Sequence, residues 1–280
     1  MTEGAREVTK SILITGCSSG IGLDSARTLR DRGWQVFASC RAEDDCIRLR
    51  AEGFHSPRID YEDPESIETG LAEVLRVTGG PLDALFNNGA YAIPGPMEDV
   101  PSDALRRIFE ANLIGWHDLT RRVIPVMRSQ GHGRILQCSS VLGLAGAKWR
   151  GAYVATKFAL EGMSDVLRME MKDTGIDVVL IEPGPIETPF RDNAIKQFER
   201  WIDWESSARA GQYRDSLLNQ LYRGSSGPSW PTSAVTTAVI RALEARRPKP
   251  RYRVTTPTTV VAIFRRLLPT RLLDRVLDRA

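Results

Sequence analysis

The chain has 280 residues, of which 42% are hydrophobic, and 38 Lys and Arg stand against 35 Asp and Glu. These values allow one large α/β domain with a sizeable core and exclude an intrinsically disordered chain. The first ten residues are polar and charged, so we expect no signal peptide, and no apolar run approaches the ~20 residues that a membrane span needs. The four cysteines lack metal-ligand spacing, so we expect free thiols in a cytoplasmic protein and no metal site.

Short apolar runs alternate with segments of helical periodicity along the whole chain. This alternation predicts a doubly wound α/β fold, in which helices cover both faces of a parallel sheet of seven strands. The predicted strands are 11–15, 34–39, 56–60, 84–87, 134–138, 177–181 and 252–254. The predicted helices are about 21–31, 43–52, 64–77, 102–129, 151–174 and 232–246.

A glycine-rich turn joins the first predicted strand to the first predicted helix. The strand ends at Gly16, and Gly20 and Gly22 open the helix. Glycines here let the backbone approach a pyrophosphate closely, and the helix N-terminus presents free N–H groups to it. The turn therefore predicts a Rossmann-type dinucleotide site, although the spacing is Gly-x-x-x-Gly-x-Gly rather than Gly-x-Gly-x-x-Gly.

The end of the second predicted strand bears on which dinucleotide is bound. NAD-specific folds place an acid there for the ribose 2′-hydroxyl, whereas an arginine accommodates a 2′-phosphate. No acid stands at residues 38–41, and the first ones, Glu43 and Asp44, belong to the next helix. Arg41 is then either a 2′-phosphate ligand or an ordinary surface arginine, and we favour the first interpretation and NADP.

Tyr153 and Lys157 are four residues apart in a predicted helix, so their side chains share a face. A phenol with a pKa near ~10 is a poor proton donor or acceptor at neutral pH, and a fixed positive charge nearby lowers that pKa. A Tyr tuned in this way exchanges a proton with an alcohol or carbonyl oxygen. An isolated Tyr-x-x-x-Lys pair is more often a solvated helix face, but here it follows a dinucleotide turn.

Six motifs in chain order resemble those of the short-chain dehydrogenase/reductase family, in its compact single-domain form, over roughly residues 8–255. Asn87-Asn88-Gly89-Ala90 is similar to the family's Asn-Asn-Ala-Gly segment with the last two residues exchanged. The others are the loop Thr15-Gly-Cys-Ser-Ser-Gly-Ile-Gly, the helix residue Asn112, Ser140 thirteen residues before the tyrosine, the pair Tyr153 and Lys157, and the turn Pro183-Gly184-Pro185-Ile186-Glu187-Thr188.

The resemblance implies hydride transfer between a nicotinamide and an alcohol or ketone carbon. It implies that Tyr153 acts as acid or base, that Ser140 hydrogen-bonds the reacting oxygen, and that Lys157 lowers the Tyr153 pKa and holds the nicotinamide ribose. Asp60 resembles the residue that binds the adenine amino group. The implied cofactor-binding residues are Gly16, Ser18, Ser19, Gly20, Ile21, Gly22, Arg41, Asp60, Asn87, Gly89, Tyr153, Lys157, Pro183, Gly184, Ile186 and Thr188.

Asn112 has two interpretations. It follows Leu105, Ile108 and Phe109 at helical spacing, so it lies on the inward face, and a buried amide needs hydrogen-bond partners. It is either a structural tie or, as the resemblance implies, the residue that positions a water leading to Lys157. We favour the second.

A long insert, about 188–229, follows the last motif and resembles the family's lid region. It contains Phe198, Trp201, Trp204, Tyr213 and Tyr222. These aromatics either enclose a bulky lipophilic substrate, with Tyr91, Trp149 and Met163 adding to the cleft, or pack the lid onto the body. The motifs around Gly16 and Lys157 are similar to those of 17β-hydroxysteroid and retinol dehydrogenases.

The last forty residues carry eleven Arg or Lys and three acids. Residues 256–280 read as a basic amphipathic extension of a single catalytic domain, 1–255. It can lie on an anionic membrane surface, or pack on the body or on a partner subunit, and we favour packing. No nucleic-acid motif accompanies the charge, and we expect a homodimer or homotetramer. The alternative to an enzyme is a catalytically silent NADP-binding sensor.

Overall fold

A parallel sheet forms the centre of the computed structural model, which describes residues 9–224 and 227–278. The strand order is β2-β1-β3-β4-β5-β6, and every neighbouring pair is parallel. The chain crosses from β2 over β1 to reach β3, so the order reverses between β1 and β3, where ligands bind in such sheets. The strands are β1 (Ser11–Ile14), β2 (Gln35–Ala38), β3 (Ala84–Asn87), β4 (Gly133–Cys138), β5 (Ile176–Glu182) and β6 (Arg251–Arg253).

The third predicted strand, 56–60, is not a strand, so the described sheet has six strands rather than seven. This segment follows β2 only through isolated bridges, of Phe37 with His55 and of Cys40 with Arg58. Pro57 interrupts the segment, and a proline has no N–H with which to continue a ladder. The remaining predicted strands are present, with ends that differ by at most one residue.

Helices cover both faces of the sheet. Two predicted helices changed: the segment 102–129 is divided by a π-helical turn, Glu110–Ile114, and the helix predicted over 151–174 ends at Glu170. The helices are α1 (Gly20–Asp31), α2 (Glu43–Ala51), α3 (Pro64–Thr78), α4 (Ser102–Phe109), α5 (Gly115–Gln130), α6 (Gly151–Glu170), α7 (Phe190–Trp201), α8 (Ala210–Gln212), α9 (Leu218–Arg223), α10 (Thr232–Glu244), α11 (Thr256–Leu267) and α12 (Thr270–Leu277).

The lid insert, built from α7, α8 and α9, has its own hydrophobic cluster. Phe198 and Tyr213 are buried with their ring centres 6.0 Å apart, and Trp204 lies 6.1 Å from Tyr213. Tyr91 and Tyr153 of the body belong to the same cluster. Phe198, Trp204 and Tyr213 therefore pack the lid onto the body, whereas the Tyr222 side chain is exposed.

The C-terminal extension contacts the body through the start of α11. Thr255 caps that helix, and Thr258 and Ala262 are buried. The Arg265 guanidinium lies 4.8 Å from the centre of the Phe158 ring. The outer side stays uncovered, with exposed side chains at Val260, Ile263, Leu267 and Leu272.

None of the helices in the described ranges combines the length and the apolar character that a membrane crossing requires. Residues 1–8 of the predicted domain, residues 225–226 of the predicted lid, and residues 279–280 of the predicted extension lie outside the described residues.

Candidate active site

A cleft of about 1240 Å³ opens at the carboxyl edge of the sheet, where the strand order reverses. The glycine turn, the end of β4, the start of α6, the turn after β5 and the lid all line it. Of the predicted site residues, the cleft is lined by Gly16, Ser18, Ser19, Gly20, Ile21, Arg41, Asp60, Gly89, Ser140, Tyr153, Lys157, Pro183, Gly184, Ile186 and Thr188. Gly22, Asn87 and Asn112 lie behind its wall.

The glycine turn is shaped by close backbone approaches. Gly16 has a φ of 66°, and a Cβ atom there would meet the Gly89 Cα at 2.5 Å. Gly20 has a φ of 58°, and a Cβ atom on this residue would lie only 3.0 Å from the Thr188 methyl group. Helix α1 starts directly after the turn without a side-chain cap and without an acid in its first turn. Its first N–H groups are thus available to an anion, as a pyrophosphate site requires.

Asn87 takes part in a buried hydrogen-bond network behind this turn. Its Oδ1 accepts from the Tyr61 hydroxyl at 2.7 Å, and its Nδ2 donates to Thr120 and Gln137, both at 3.0 Å. Because both polar atoms are engaged, the Asn87 side chain supports the wall of the cleft rather than reaching into it.

The exchanged Gly-Ala order at residues 89–90 has a structural reason. A Cβ atom on Gly89 would come within 3.3 Å of Gly16. The Gly89 carbonyl accepts a hydrogen bond from the Trp116 indole at 2.9 Å. The glycine therefore fits where the end of β3 touches the cofactor turn.

Arg41 is exposed at one end of the cleft, beside Asp60. In the described residues its guanidinium makes no ion pair or hydrogen bond, while its backbone carbonyl accepts from Arg58 at 3.0 Å. Asp45 and Asp60, two acids on the lining, lie within 4.0 Å of Arg48 and Arg58 instead. This end of the cleft thus presents an arginine without an acid of its own, which suits a phosphate.

Ser140, Tyr153 and Lys157 converge at the other end. Ser140 follows β4, and its hydroxyl accepts from the Leu142 N–H at 3.1 Å. Tyr153 lies in the first turn of α6, and its ring contacts that of Phe190 edge-on at 5.4 Å. The Lys157 Nζ donates to the Cys138 carbonyl at 2.7 Å and lies 4.3 Å from the centre of the Trp116 ring.

The pKa values of Tyr153 and Lys157 are governed mainly by burial. Burial raises the pKa of the Tyr153 phenol, and a hydrogen bond with Ser140 opposes that rise. Burial lowers the pKa of Lys157 to about 8. The Lys157 Nζ is 5.6 Å from the centre of the Tyr153 ring. In the protein by itself the lysine therefore does not lower the Tyr153 pKa below its ordinary value, which corrects the direction expected from the sequence.

Asn112 lies in the π-helical turn between α4 and α5, a kind of irregularity that is common at functional sites. Its Oδ1 accepts from the Tyr91 N–H at 3.1 Å, and its Nδ2 donates to the Tyr91 carbonyl at 2.8 Å. A longer contact reaches Thr156 at 3.4 Å. These contacts make the side chain a structural tie between the turn and residue 91.

The turn after β5 packs against the start of α11. A Cβ atom on Gly184 would collide with the Thr255 hydroxyl, so the start of α11 packs directly under this turn. Glu182, the last residue of β5, is fully buried and paired with Arg251 at 3.1 Å and Arg253 at 3.5 Å. Burial raises the pKa of Glu182 to about 7, and the two arginines oppose that rise. Sequence analysis did not single out this cluster, because its members meet only in the folded sheet.

The substrate end of the cleft differs from the sequence expectation. Of the side chains expected there, Tyr91 lines the cleft, whereas Met163 and the aromatic residues Trp149, Phe198, Trp201, Trp204, Tyr213 and Tyr222 do not. The lid contributes mainly polar side chains together with Phe190 and Leu221. Arg150, three residues before Tyr153, also lines the cleft. Its spacing from Tyr153 was the one feature of the sequence that could have identified it.

The four cysteines have free, buried thiols. Cys17 lies beside the cofactor turn, but burial raises its pKa well above the ordinary value, and its thiol donates to the Ile14 carbonyl. A buried thiol with a raised pKa is a poor nucleophile, so a reactive role for Cys17 has no support here.

Comparison with known proteins identifies the family. The family model described as short chain dehydrogenase matches residues 10–199. The chain therefore belongs to the short-chain dehydrogenase/reductase family, whose members are oxidoreductases that bind a nicotinamide cofactor.

Individual relatives agree with this assignment. The chain is 41% identical over 284 aligned positions to Uncharacterized oxidoreductase YbbO of Escherichia coli, covering 99% of this chain and 100% of that protein. It is 29% identical to the NADPH-dependent 3-dehydrocapnine reductase of Ornithobacterium rhinotracheale, covering 94% of each. A solved short-chain dehydrogenase of Burkholderia phymatum in complex with NAD has the same fold, with a TM-score of 0.79 at 22% identity over 92% of this chain and 93% of that one.

Proposed function

We propose that this oxidoreductase is NADP(H)-dependent and transfers a hydride between the nicotinamide and an alcohol or ketone carbon. The observation that carries the proposal is the arrangement of one continuous cleft. Ser140, Tyr153 and Lys157 lie at one end, and Arg41 lies at the other, with the glycine turn between them. This order follows the strand order β2-β1-β3-β4 and is the one that a dinucleotide with a reactive ring at one end requires.

The residues fit the cofactor on physical grounds. Only glycine fits at residues 16 and 20, where the backbone bends and a ligand must approach closely. The uncapped start of α1 would hold the pyrophosphate. Arg41, which has no acid partner among the described residues, would hold the 2′-phosphate, and Asp60 the adenine. A relative that is NADPH-dependent supports this choice, although a more distant one was solved with NAD.

The nicotinamide, when bound, supplies or accepts the hydride. Tyr153 donates a proton to the substrate oxygen in reduction and removes it in oxidation. Ser140 donates a hydrogen bond to the same oxygen, where negative charge develops. The buried ammonium of Lys157, fixed by the Cys138 carbonyl, stabilises the phenolate that forms on Tyr153. Asn112 holds residue 91 against the π-helical turn, as its two hydrogen bonds to the Tyr91 backbone show.

We propose a substrate with an apolar body. Leu142, Phe190 and Leu221 contribute apolar surface to the cleft near Tyr153. Phe190 is the lid aromatic that lines the cleft, because Phe198, Trp201, Trp204 and Tyr213 pack in the cluster between the lid and the body. We also propose a homo-oligomer, since Val166 and Met169 leave apolar surface exposed on α6.

The test is reduction of a panel of ketones and aldehydes, including steroid, retinoid and acyl compounds, with NADPH and with NADH. We expect higher kcat/KM with NADPH. The variant Tyr153→Phe should bind NADPH as the wild type does and lose kcat about 10²–10⁴-fold, since only the proton relay is removed. A protein that binds NADPH but reduces nothing on the panel, or a variant that retains more than about a tenth of kcat, would contradict the proposal.

A further inference from the structure

Arg150 lies at the entrance to the helix that carries the proposed catalytic pair. It is the N-cap residue of α6, and its carbonyl accepts the first hydrogen bond of that helix from Val154 at 2.8 Å. Residues three apart at a helix start are neighbours on one face. Arg150 and Tyr153 accordingly line the same cleft.

The guanidinium of Arg150 lacks an acid of its own. Across residues 9–224 and 227–278, no Asp or Glu lies within 4.0 Å of it. Its one hydrogen bond is a long donation, 3.4 Å, to the carbonyl of Trp149. The arginines of the neighbouring helices differ, since Arg107 and Arg122 pair with acids at 2.6 Å and 2.8 Å. A guanidinium offers five donors, so most of those of Arg150 are unused.

Burial makes an unpaired guanidinium at residue 150 unfavourable for the stability of the fold. The side chain is partly buried, and burial lowers its pKa. A desolvated charge without a counter-charge destabilises a fold unless a partner compensates it. No described residue supplies a counter-charge for Arg150. An anion that enters the cleft would supply it.

The backbone before Arg150 is strained. Trp149 has a φ of 59° and is the one non-glycine residue with positive φ in the described part of the chain. Its carbonyl is held by the Gly95 N–H at 2.9 Å. Such a conformation is unfavourable for a non-glycine residue and persists only where the surroundings impose it, which is typical of ligand sites. Here it sets the direction in which the chain enters α6 at Arg150.

We infer that Arg150 binds a carboxylate of the substrate, so that the proposed oxidoreductase acts on hydroxy or oxo acids. The inference rests on the proposed function, which it narrows from alcohols and ketones to acids with an apolar chain. A guanidinium matches a carboxylate through two parallel hydrogen bonds, which orient the substrate as well as bind it. The apolar wall of Leu142, Phe190 and Leu221 accommodates the chain.

The test uses matched pairs of substrates: 2-oxo, 3-oxo and 4-oxo octanoates and their methyl esters, each reduced with NADPH. For the acid whose spacing suits the site, the wild type should show a kcat/KM at least about tenfold above that of its ester. Arg150→Met keeps the apolar stem and removes the charge. It should lower kcat/KM for that acid about 10–150-fold, the scale of a charge-assisted hydrogen bond, and change the ester less than about threefold.

Two controls separate this role from others. Arg106→Met replaces an exposed arginine on α4 outside the cleft. It should leave kcat/KM unchanged for both the acid and the ester. Arg150→Lys retains the positive charge but cannot make two parallel hydrogen bonds to a carboxylate. Its kcat/KM for the acid should lie between those of the wild type and Arg150→Met. The Tm of Arg150→Met should not fall, because an unpaired, partly buried charge is removed. A lower Tm with equal losses for acid and ester would mean that Arg150 is structural and would overturn the inference.

The outcomes also separate the inference from the proposed function. If the wild type reduces neither the octanoates nor any compound of the ketone and aldehyde panel, the proposed function fails, and calorimetric binding of the octanoates to the NADP-saturated protein decides the subsite alone. If it reduces compounds of the panel but none of the octanoate acids, the inference fails and the proposed function stands. Tighter binding to wild type than to Arg150→Met supports the subsite, and equal binding refutes it. A loss of NADPH affinity as large as the loss for the acid would assign Arg150 to the cofactor's phosphates and refute the inference.

Discussion

The Lys157 ammonium is buried, and burial disfavours the charged form of the side chain. Replacing Lys157 by methionine should therefore change the free energy of unfolding by an amount that depends on pH. Burial lowers the pKa of Lys157 from 10.5 to about 8 in the folded protein. The unfolded chain therefore retains a proton that the native chain has lost between these two pH values. Wild-type stability should accordingly rise with pH through this window, relative to a variant without the lysine.

The magnitude follows from the two pKa values. The gap between 10.5 and about 8 corresponds to ~3 kcal/mol, at 1.36 kcal/mol per unit of pKa. Between pH 6.5 and pH 9.5, about 2 kcal/mol of this difference should appear. The hydrogen bond to the Cys138 carbonyl is available to a neutral amine as well, so its loss in the variant adds an offset that depends little on pH. Burial raises the Cys138 pKa to about 11, so this thiol stays protonated over the same range.

The assay is urea unfolding of wild type and Lys157→Met, without cofactor, at pH 6.5 and pH 9.5. The free energy of unfolding of the variant, minus that of the wild type, should fall by about 2 kcal/mol from the lower to the higher pH. Lys172→Met, which replaces an exposed lysine, serves as the matched control and should show no such change. A difference for Lys157→Met that is the same at both pH values would refute the argument that burial controls this lysine.

Two further predictions concern the ends of the cleft. Arg41→Ala should raise the Kd for NADPH about 10–150-fold and leave that for NADH nearly unchanged, as measured by fluorescence titration; equal losses for both cofactors would place Arg41 away from the 2′-phosphate. Truncation after Thr255 should lower the Tm by about 4–8 °C, since it removes the buried Ala262 and the buried Thr258, which packs against Gly184. Truncation after Leu268 removes only α12, which buries no side chain, and should cost less. If the full-length protein instead binds anionic vesicles in a salt-sensitive manner, and truncation abolishes this without changing the Tm, the extension is a membrane-surface element.

Local sequence patterns determined much of the architecture and of the candidate site. Apolar runs and helical periodicities place five of the six strands and the main helices to within a few residues, because burial of one face follows directly from side-chain spacing. The same holds for the short β6, whose observed bounds are shifted by one residue. The site trio was visible because Tyr153 and Lys157 are four residues apart on one helix, a relation that does not depend on the rest of the fold.

Burial and pairing were decided only by the tertiary structure. The lid aromatics could line a cleft or pack the lid, and contacts of Phe198 and Tyr213 with residues far away in sequence select packing. The direction of the Tyr153 pKa depends on how much water the fold removes, which outweighs a lysine four residues away.

The same reasoning separates the arginines. The position of Arg41 after β2, a local relation, identified it as a candidate ligand in the sequence. Arg150 became a candidate only in the folded chain, where it lines the cleft and no acid of the described residues pairs with it. Sequence specifies which groups are near one another along a helix or strand. The solvent exposure and the partners of a charged group are set by long-range contacts, since these contacts fix both the local dielectric and the set of available counter-charges.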